Sequence, residues 1–185
     1  MEEADLLSLP SAWETRYLED VKVRRLVLDW YDREHVAVRR YLLFLGVEAE
    51  TVREILQETF LKLHQHLLND GDQANLRAWL YRVAHNLARN WQSSYHASRT
   101  DFFSDVTTAG DWPSHASSAE DKMLAAERAK QFRQALGHLS PAQRECLALR
   151  AQGMKYREIA EALNLSVSTV GENIGRGLEK LKEWV

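Results

Sequence analysis

The feature that most constrains the fold is a pair of short amphipathic helices predicted on either side of a corner at residues 164–165. In the first helix, Ile159, Ala160 and Leu163 form one apolar face. In the second helix, apolar residues recur at steps of three and four: Val167, Val170, Ile174, Leu178 and Leu181. Ser166 precedes the second helix and is placed to cap its first free N–H groups. Two helices that meet at such a corner form a helix-turn-helix, which usually lays its second helix in a DNA major groove.

The composition is that of a globular protein without covalent cross-links. Apolar residues make up 45% of the 185 residues and charged residues 28%. Cys146 is the single cysteine, so neither a disulfide framework nor a cysteine metal cluster is expected, and a reducing cytoplasm suits the chain. The apolar runs are short and the sequence starts Met1-Glu-Glu, which predicts no signal peptide and no membrane insertion.

Charge is distributed unevenly along the chain. The net charge is −3 overall, yet it is −4 over residues 93–121 and +4 over residues 122–185. The helix-turn-helix part is therefore basic and the segment before it acidic, an asymmetry that fits contact of one part with phosphates. Ordinary variation of charge along a soluble protein is the alternative interpretation.

Helical periodicity predicts an all-α fold: two small helical bundles joined by an acidic linker, with the helix-turn-helix in the C-terminal bundle. Candidate helices in the first half span about 13–30, 31–45, 48–68 and 75–92, and the polar cluster 69–75 separates the last two. Ser140-Pro141 predicts a helix start. The expected divisions are an N-terminal extension 1–24, a helical domain 25–93, a linker 94–121 and a helix-turn-helix domain 122–185.

Two helices of the first half present polar faces opposite their apolar stripes. On the helix of residues 48–68, Leu56, Phe60 and Leu63 mark the apolar side. The polar residues Gln57, Glu58 and Lys62 are then expected to point outward. The helix that follows carries Arg, amide and imidazole side chains on its polar face: Arg82, His85, Asn86, Arg89 and Asn90. Such side chains suit phosphate contact and base stacking on an opened strand, although a plain solvated face would carry them equally well.

The order of the motifs resembles one known family. Glu54-Ile-Leu-Gln-Glu-Thr-Phe60 resembles the "D-x-V-Q-E-T-F" helix of extracytoplasmic-function (ECF) sigma factors of bacterial RNA polymerase. The segment Arg77-Ala-Trp-Leu-Tyr-Arg-Val-Ala-His-Asn-Leu-Ala88 resembles their "W-L-x-x-I-A-x-N" helix. Leu139-Ser-Pro-Ala-Gln-Arg-Glu145 and the helix-turn-helix after it resemble their C-terminal domain. The resemblance covers roughly residues 25–92 and 122–182.

The resemblance implies a transcription initiation subunit that binds core RNA polymerase and promoter DNA. The β′ clamp helices would bind the helix of residues 48–68, and the β flap would be a second polymerase contact. The residues expected at the polymerase are Glu54, Gln57, Glu58, Phe60 and Lys62. The loop 69–75 and the helix after it would take a flipped base of the −10 element and stabilise the opened strand. The residues expected there are Asn69, Asn75, Arg77, Arg82, His85, Asn86, Arg89 and Asn90.

The C-terminal motif would read the −35 element. The residues expected there are Lys155, Tyr156, Ser166, Ser168, Thr169, Asn173 and Arg176. The family pattern "T-V-K-S-R-L-x-R-A" is replaced by Thr169-Val-Gly-Glu-Asn-Ile-Gly-Arg-Gly177, which removes cations and adds Glu172. An unusual −35 sequence, a close approach of backbone to DNA, reduced dependence on this contact and ordinary drift are the alternatives that this departure leaves open.

Two other functions compete with the sigma factor. A plain helix-turn-helix regulator would account for residues 139–181 but not for the two helices of the first half. A sigma-like adaptor with weak DNA binding, brought to DNA by a targeting partner, would account for the acidic substitution in the recognition helix. An anti-sigma factor is a further expected partner. No motif for catalysis, a cofactor or a metal is found, and His64-Gln-His66 has a spacing that points its rings to different sides.

Overall fold

The computed structural model describes residues 12–96, 123–124, 127, 131–132 and 134–183. Three helices form the N-terminal unit: α1 (Ala12–Phe44), α2 (Ala49–Leu68) and α3 (Leu76–His96). The C-terminal unit holds α4 (Pro141–Ala151), α5 (Tyr156–Leu163) and α6 (Val167–Lys182). The described residues contain no strand, and the predicted all-α fold is confirmed. Most of the predicted linker, with Phe102, Phe103 and Trp112, lies outside the described residues.

One long helix replaces two predicted ones at the start of the chain. The sequence suggested a division near residue 30, but α1 runs unbroken from Ala12 to Phe44. No Gly or Pro interrupts that stretch, so nothing in the backbone ends the helix before Gly46, whose φ of 81° turns the chain. Residues 12–24 of the predicted extension are therefore the first turns of α1.

Capping residues set the helix starts of the C-terminal unit as the sequence predicted. Ser140 Oγ accepts a hydrogen bond from the Gln143 amide N–H, and the Gln143 side chain accepts one from the Ser140 N–H. This reciprocal capping box starts α4, with Pro141 in its first turn. Ser166 Oγ accepts from the Thr169 N–H at 3.0 Å and starts α6. Asn164 takes the left-handed conformation (φ 54°) at the corner between α5 and α6.

The two units pack against each other around a continuous core. Within the N-terminal unit, α1 packs on α2 and α2 on α3, while α4, α5 and α6 pack together in the C-terminal unit. In addition, α3 lies against α5, and α1 touches α4. Buried residues of both units belong to one cluster, in which Tyr41, Leu80, Cys146 and Leu149 are fully buried. The chain thus contains two groups of packed helices, and these groups are not held apart.

Candidate nucleic-acid and partner interfaces

The α2 residues expected at a protein partner lie on its surface, with one exception. Glu54 and Gln57 are exposed, and Glu58 Oε1 lies 3.1 Å from Lys62 Nζ in an ion pair one helical turn long. Phe60 is only 6% exposed and packs edge-on against Tyr31, with ring centroids 5.0 Å apart. The Phe60 ring thus belongs to the core, and its contact with a partner stays a prediction.

An exposed apolar residue extends the α2 surface beyond what the sequence predicted. Leu61 is 49% exposed and lies one turn after Gln57, so the two side chains share a face of α2. Tyr31 of α1 is also exposed on its outer side. A single apolar residue off the core stripe gives little signal in sequence, which is why Leu61 was missed. We refer to Gln57, Glu58, Leu61 and Lys62 as the α2 surface.

The loop between α2 and α3 is exposed and internally bonded. Asn69 donates a side-chain hydrogen bond to the Gln65 carbonyl at 2.9 Å, and Asp70 adopts a left-handed conformation with φ of 51°. The Gly71 N–H donates to the His66 carbonyl at 2.9 Å, which closes the helix end. Asn75 is exposed at the start of α3. Both predicted loop residues, Asn69 and Asn75, are therefore accessible to a ligand.

Arg77, at the start of α3, connects three parts of the molecule. Its Nε lies 3.0 Å from Glu34 Oε1 of α1, and its Nη2 donates to the Gln152 carbonyl of the C-terminal unit at 2.8 Å. The guanidinium also lies 5.9 Å from the centroid of the Tyr81 ring. Arg77 is thus held by acceptors of the protein itself, and neither Glu34 nor Gln152 was predicted from sequence.

A cleft between the two units gathers the other predicted α3 residues. It encloses about 570 Å³ and is lined on the α3 side by Arg82, His85, Asn86 and Arg89. Its other wall consists of residues from α4, α5 and the corner before α6: Ala142, Glu145, Ala162, Leu163, Asn164 and Leu165. Asn90 lies exposed beyond the cleft. The predicted strand-binding face of α3 is therefore turned toward the C-terminal unit.

Electrostatics across the cleft centre on Glu145. Its Oε1 lies 3.3 Å from Arg89 Nη1, and its side chain is only 15% exposed. Burial raises the pKa of Glu145 above its usual value, and the nearby Arg89 cation lowers it in part. The carboxylate is thus partly desolvated and only partly compensated by its partner.

His85 lines the cleft with the other α3 residues but is buried, whereas the sequence placed it on an exposed polar face. It is 6% exposed, and its Nδ1 shares a hydrogen bond of 2.8 Å with the Tyr41 hydroxyl. Burial, followed by the charge of Arg89, lowers the pKa of His85 to about 4. The ring is therefore neutral at neutral pH and lies in the core rather than at a phosphate. Contact of His85 with DNA stays a prediction, because the ring lies on the cleft face of α3 and is covered in the packed form.

The predicted −35 residues group at the start of α5 and along α6. Lys155 and Tyr156 are exposed at the start of α5, and the Arg150 guanidinium lies 5.7 Å from the Tyr156 ring centroid. Ser168 is exposed on α6, and 70% of the Arg176 side chain is accessible. Ser166, Thr169 and Asn173 are tied to their own helix. The Ser166 hydroxyl lies 2.7 Å from Thr169 Oγ1, and Asn173 donates to the Thr169 carbonyl at 2.9 Å.

Three features of α6 differ from the apolar stripe read from sequence. Val170 and Ile174 are buried as predicted, but Val167 and Leu178 are each 47% exposed. Gly177 takes the buried position because a Cβ there would lie 2.8 Å from Leu147 Cδ1 of α4. The close approach of α4 and α6 therefore shifts the stripe by one residue and leaves Leu178 outside.

Glu172 is an acidic residue in the middle of α6. Its Oε2 lies 3.4 Å from Arg176 Nη2, and both side chains are largely exposed. The one-turn pair places a carboxylate beside the cation that the sequence assigned to DNA.

Neither a metal site nor a membrane-spanning helix occurs among the described residues. They hold no group of three or more His, Cys, Asp or Glu that fits a metal ion. His64 contacts Asp20 of α1, whereas His66 contacts the α2–α3 loop, so the two rings point to different sides. Among the described helices, none combines the length and the apolar character that a membrane crossing requires.

Comparison with known proteins identifies both units. The family model "Sigma-70 region 2" matches residues 30–96, and "Sigma-70, region 4" matches residues 129–181. The RNA polymerase sigma factor CnrH of Cupriavidus metallidurans is 30% identical over 155 residues, which cover 80% of this chain and 81% of CnrH.

Two solved structures share the fold. The structure of CnrH in complex with the cytosolic domain of CnrY superposes with a TM-score of 0.61 at 24% identity, covering 90% of this chain and 94% of that one. The sigma factor RpoE in complex with the anti-sigma factor NepR from Bartonella quintana superposes with a TM-score of 0.58 at 18% identity, covering 84% and 96%. With both regions in order and a relative of this similarity, the chain belongs to the sigma-70 family of RNA polymerase sigma factors, as its resemblance to the ECF class indicated.

Proposed function

We propose that this sigma factor binds core polymerase through the α2 surface, the −10 element through the α2–α3 loop and the cleft face of α3, and the −35 element through α6. The observation that carries this assignment is the gathering of Arg82, Asn86 and Arg89 of region 2 around one cleft, beside an exposed loop. A plain helix-turn-helix regulator is not favoured, because region 2 is present.

The α2 surface supports the polymerase contact through its mixed character. Glu58 and Lys62 offer charges, and Gln57 offers an amide. Leu61 offers an apolar side chain that is exposed to water. An apolar centre within a polar rim is typical of protein–protein interfaces. The β′ clamp helices are the partner that we assign to this surface, and the β flap is the partner assigned to the C-terminal unit.

The −10 assignment requires the two units to separate. Arg77 is bonded to Gln152, and Arg89 is paired with Glu145, so in the packed form both cations already have partners. A DNA strand reaching α3 must displace α4 and α5, since these helices form the opposite wall of the cleft. The free protein is therefore a closed form, and polymerase binding supplies the free energy that opens it.

The −35 assignment relies on the exposed side of α6 and the start of α5. Lys155, Ser168 and Arg176 can each reach a phosphate or a base edge from these positions. Ser166 supports the contact by fixing the start of the helix.

Further partners follow from the same proposal. NepR is an anti-sigma factor bound to the similar RpoE, and we assign a partner of that kind to this chain, with the inter-unit cleft as its point of action. In this proposal the chain supplies promoter recognition and the polymerase supplies the catalysis. We assign the chain to the cytoplasm, where the polymerase acts.

The test is transcription in vitro with core bacterial RNA polymerase and the purified chain, with start sites mapped on genomic DNA fragments. Specific transcripts that share two spaced upstream elements are the expected result. A Gln57→Ala, Leu61→Ala double variant should weaken polymerase binding and leave the preferred promoter unchanged. Arg82→Ala should instead weaken promoter opening at full polymerase occupancy. Transcription that does not depend on the chain would overturn the proposal.

A further inference from the structure

His66, in the last turn of α2, touches both sides of the α2–α3 loop. One face of its ring stacks on Trp79 in the first turn of α3, with centroids 4.5 Å apart and planes inclined by 23°. Its Nε2 lies 3.0 Å from the Asp72 carbonyl oxygen. Because a carbonyl oxygen only accepts, the proton is on Nε2, and the ring donates this hydrogen bond. The His66 side chain therefore joins the end of α2, the middle of the loop and the start of α3.

Gly71 leaves the space that the ring occupies. A Cβ built on Gly71 would overlap the His66 imidazole, and its nearest atoms all belong to that ring. The φ of Gly71 is not in the left-handed region, so the conformation itself does not require glycine. Close packing of the ring on the loop backbone is thus the reason for a glycine at this position.

The remaining loop contacts leave its outer edge open. Asp72 Oδ1 accepts a hydrogen bond from the Ala74 N–H at 2.9 Å, and the Gly71 N–H is bonded to the His66 carbonyl. Both the backbone and the side chain of His66 thus hold the loop. Gln73 and Asn75 remain exposed. The shape that the loop presents to a ligand depends on the ring beneath it.

We infer that His66 is a positioning residue for −10 recognition: its ring, packed between Trp79 and Gly71, holds the loop 69–75 in the conformation that selects a base. This inference rests on the proposed function of the loop. A purely structural role would act differently, because it would reduce transcription from all promoters by the same factor. A positioning role changes the ratio between promoters that differ at one −10 base.

The experiment compares full-length variants with core polymerase on the mapped promoter and on templates with one −10 base replaced. His66→Ala removes both the stack and the donor, whereas His66→Phe keeps a ring on Trp79 and removes the donor. We expect His66→Ala to lower the base preference at least about threefold, as the loss of one net hydrogen bond would. His66→Phe should give a smaller loss. Polymerase affinity and transcription from a pre-melted template should stay unchanged, whereas thermal stability should fall with the lost stack and hydrogen bond.

His64→Ala is the matched control, because it removes an imidazole from the same helix on the side that faces Asp20. It should leave the base preference intact. Gly71→Ala provides a second test: alone it should lower the preference as His66→Ala does, and in the His66→Ala background it should add little, because the ring is gone. An unchanged preference in His66→Ala, with transcription falling equally on all templates, would overturn the inference alone. Absence of chain-dependent transcription with the unsubstituted protein would overturn the proposed function and this inference with it.

Discussion

Arg89 of α3 and Glu145 of α4 form an ion pair, Nη1 to Oε1 at 3.3 Å, that bridges sigma-70 regions 2 and 4. The two residues are 56 positions apart, and the pair lies at the cleft that holds the predicted strand-binding face of α3. The cation that we assign to DNA is thus paired with a carboxylate of the other unit. In the proposed function, opening of the cleft would exchange this intramolecular partner for a phosphate.

Reversing the charge of Glu145 should open the free protein. In Glu145→Lys, the new cation repels Arg89, and we expect the affinity of the free chain for a single-stranded −10 oligonucleotide to rise about threefold, the scale of one ion pair. Fluorescence anisotropy measures the affinity. Glu179→Lys adds the same charge at an exposed position of α6 and serves as the control. An equal gain in oligonucleotide affinity in both variants would show that the added charge alone causes the effect. That result would contradict the closed form.

Acid should destabilise the protein through His85. Its pKa is about 4 in the folded chain, below the ordinary 6.5, so folding is favoured above pH 6.5 and the contribution is lost as pH falls toward 4. The shift corresponds to roughly 3 kcal/mol in the free energy of unfolding at most. Urea unfolding at pH 7 and pH 4.5 measures it.

His85→Gln is the comparison for this effect, because glutamine can accept from the Tyr41 hydroxyl without titrating. The variant should lose less stability than the unsubstituted chain between the two pH values. Glu145 acts in the opposite sense, because burial raises its pKa and disfavours its ionised form in the packed state. Packing of the two units should therefore weaken as the pH rises through this raised pKa. Equal pH dependence in both proteins would assign the acid sensitivity to other groups.

Features set by a few neighbouring residues were predictable from the sequence. Ser140 and Ser166 cap the helices that they were expected to cap, because a cap depends on residues within one turn. Contacts between distant segments were not predictable, because periodicity identifies an inward face without naming its partner. Arg77 and Gln152, 75 positions apart, illustrate this limit. His85 shows a second one: its polar character suggested a surface, whereas Tyr41 satisfies it in the core.

The glycines of α6 should respond differently to alanine. Nothing lies within 4 Å of a Cβ at Gly175, so Gly175→Ala should stabilise the fold by about 0.5–1 kcal/mol through helix propensity. At Gly177 the new Cβ would press on Leu147, so Gly177→Ala should lose that gain. Thermal unfolding of both variants tests the pair. A larger gain at Gly177 would show that Leu147 moves aside without cost.

The same Gly175→Ala variant tests whether DNA backbone approaches α6 closely. Reduced −35 binding by a protein of raised stability would support a close approach of the DNA backbone to α6. The reason is that the substitution adds only a methyl group on an exposed face. Unchanged binding would leave Gly175 without a role in DNA recognition.

Removing the negative charge of Glu172 should strengthen −35 binding. Glu172 pairs with Arg176 at 3.4 Å, and both side chains are exposed, so the pair contributes little to stability. Glu172→Gln frees the Arg176 guanidinium for a phosphate, and we expect tighter binding of double-stranded −35 DNA with a salt dependence steeper by about one unit of log–log slope. Arg176→Ala should make the slope shallower, and the double variant should resemble Arg176→Ala. If Glu172→Gln tightens binding equally in the Arg176→Ala background, the carboxylate acts on DNA directly and the ion pair does not control the contact.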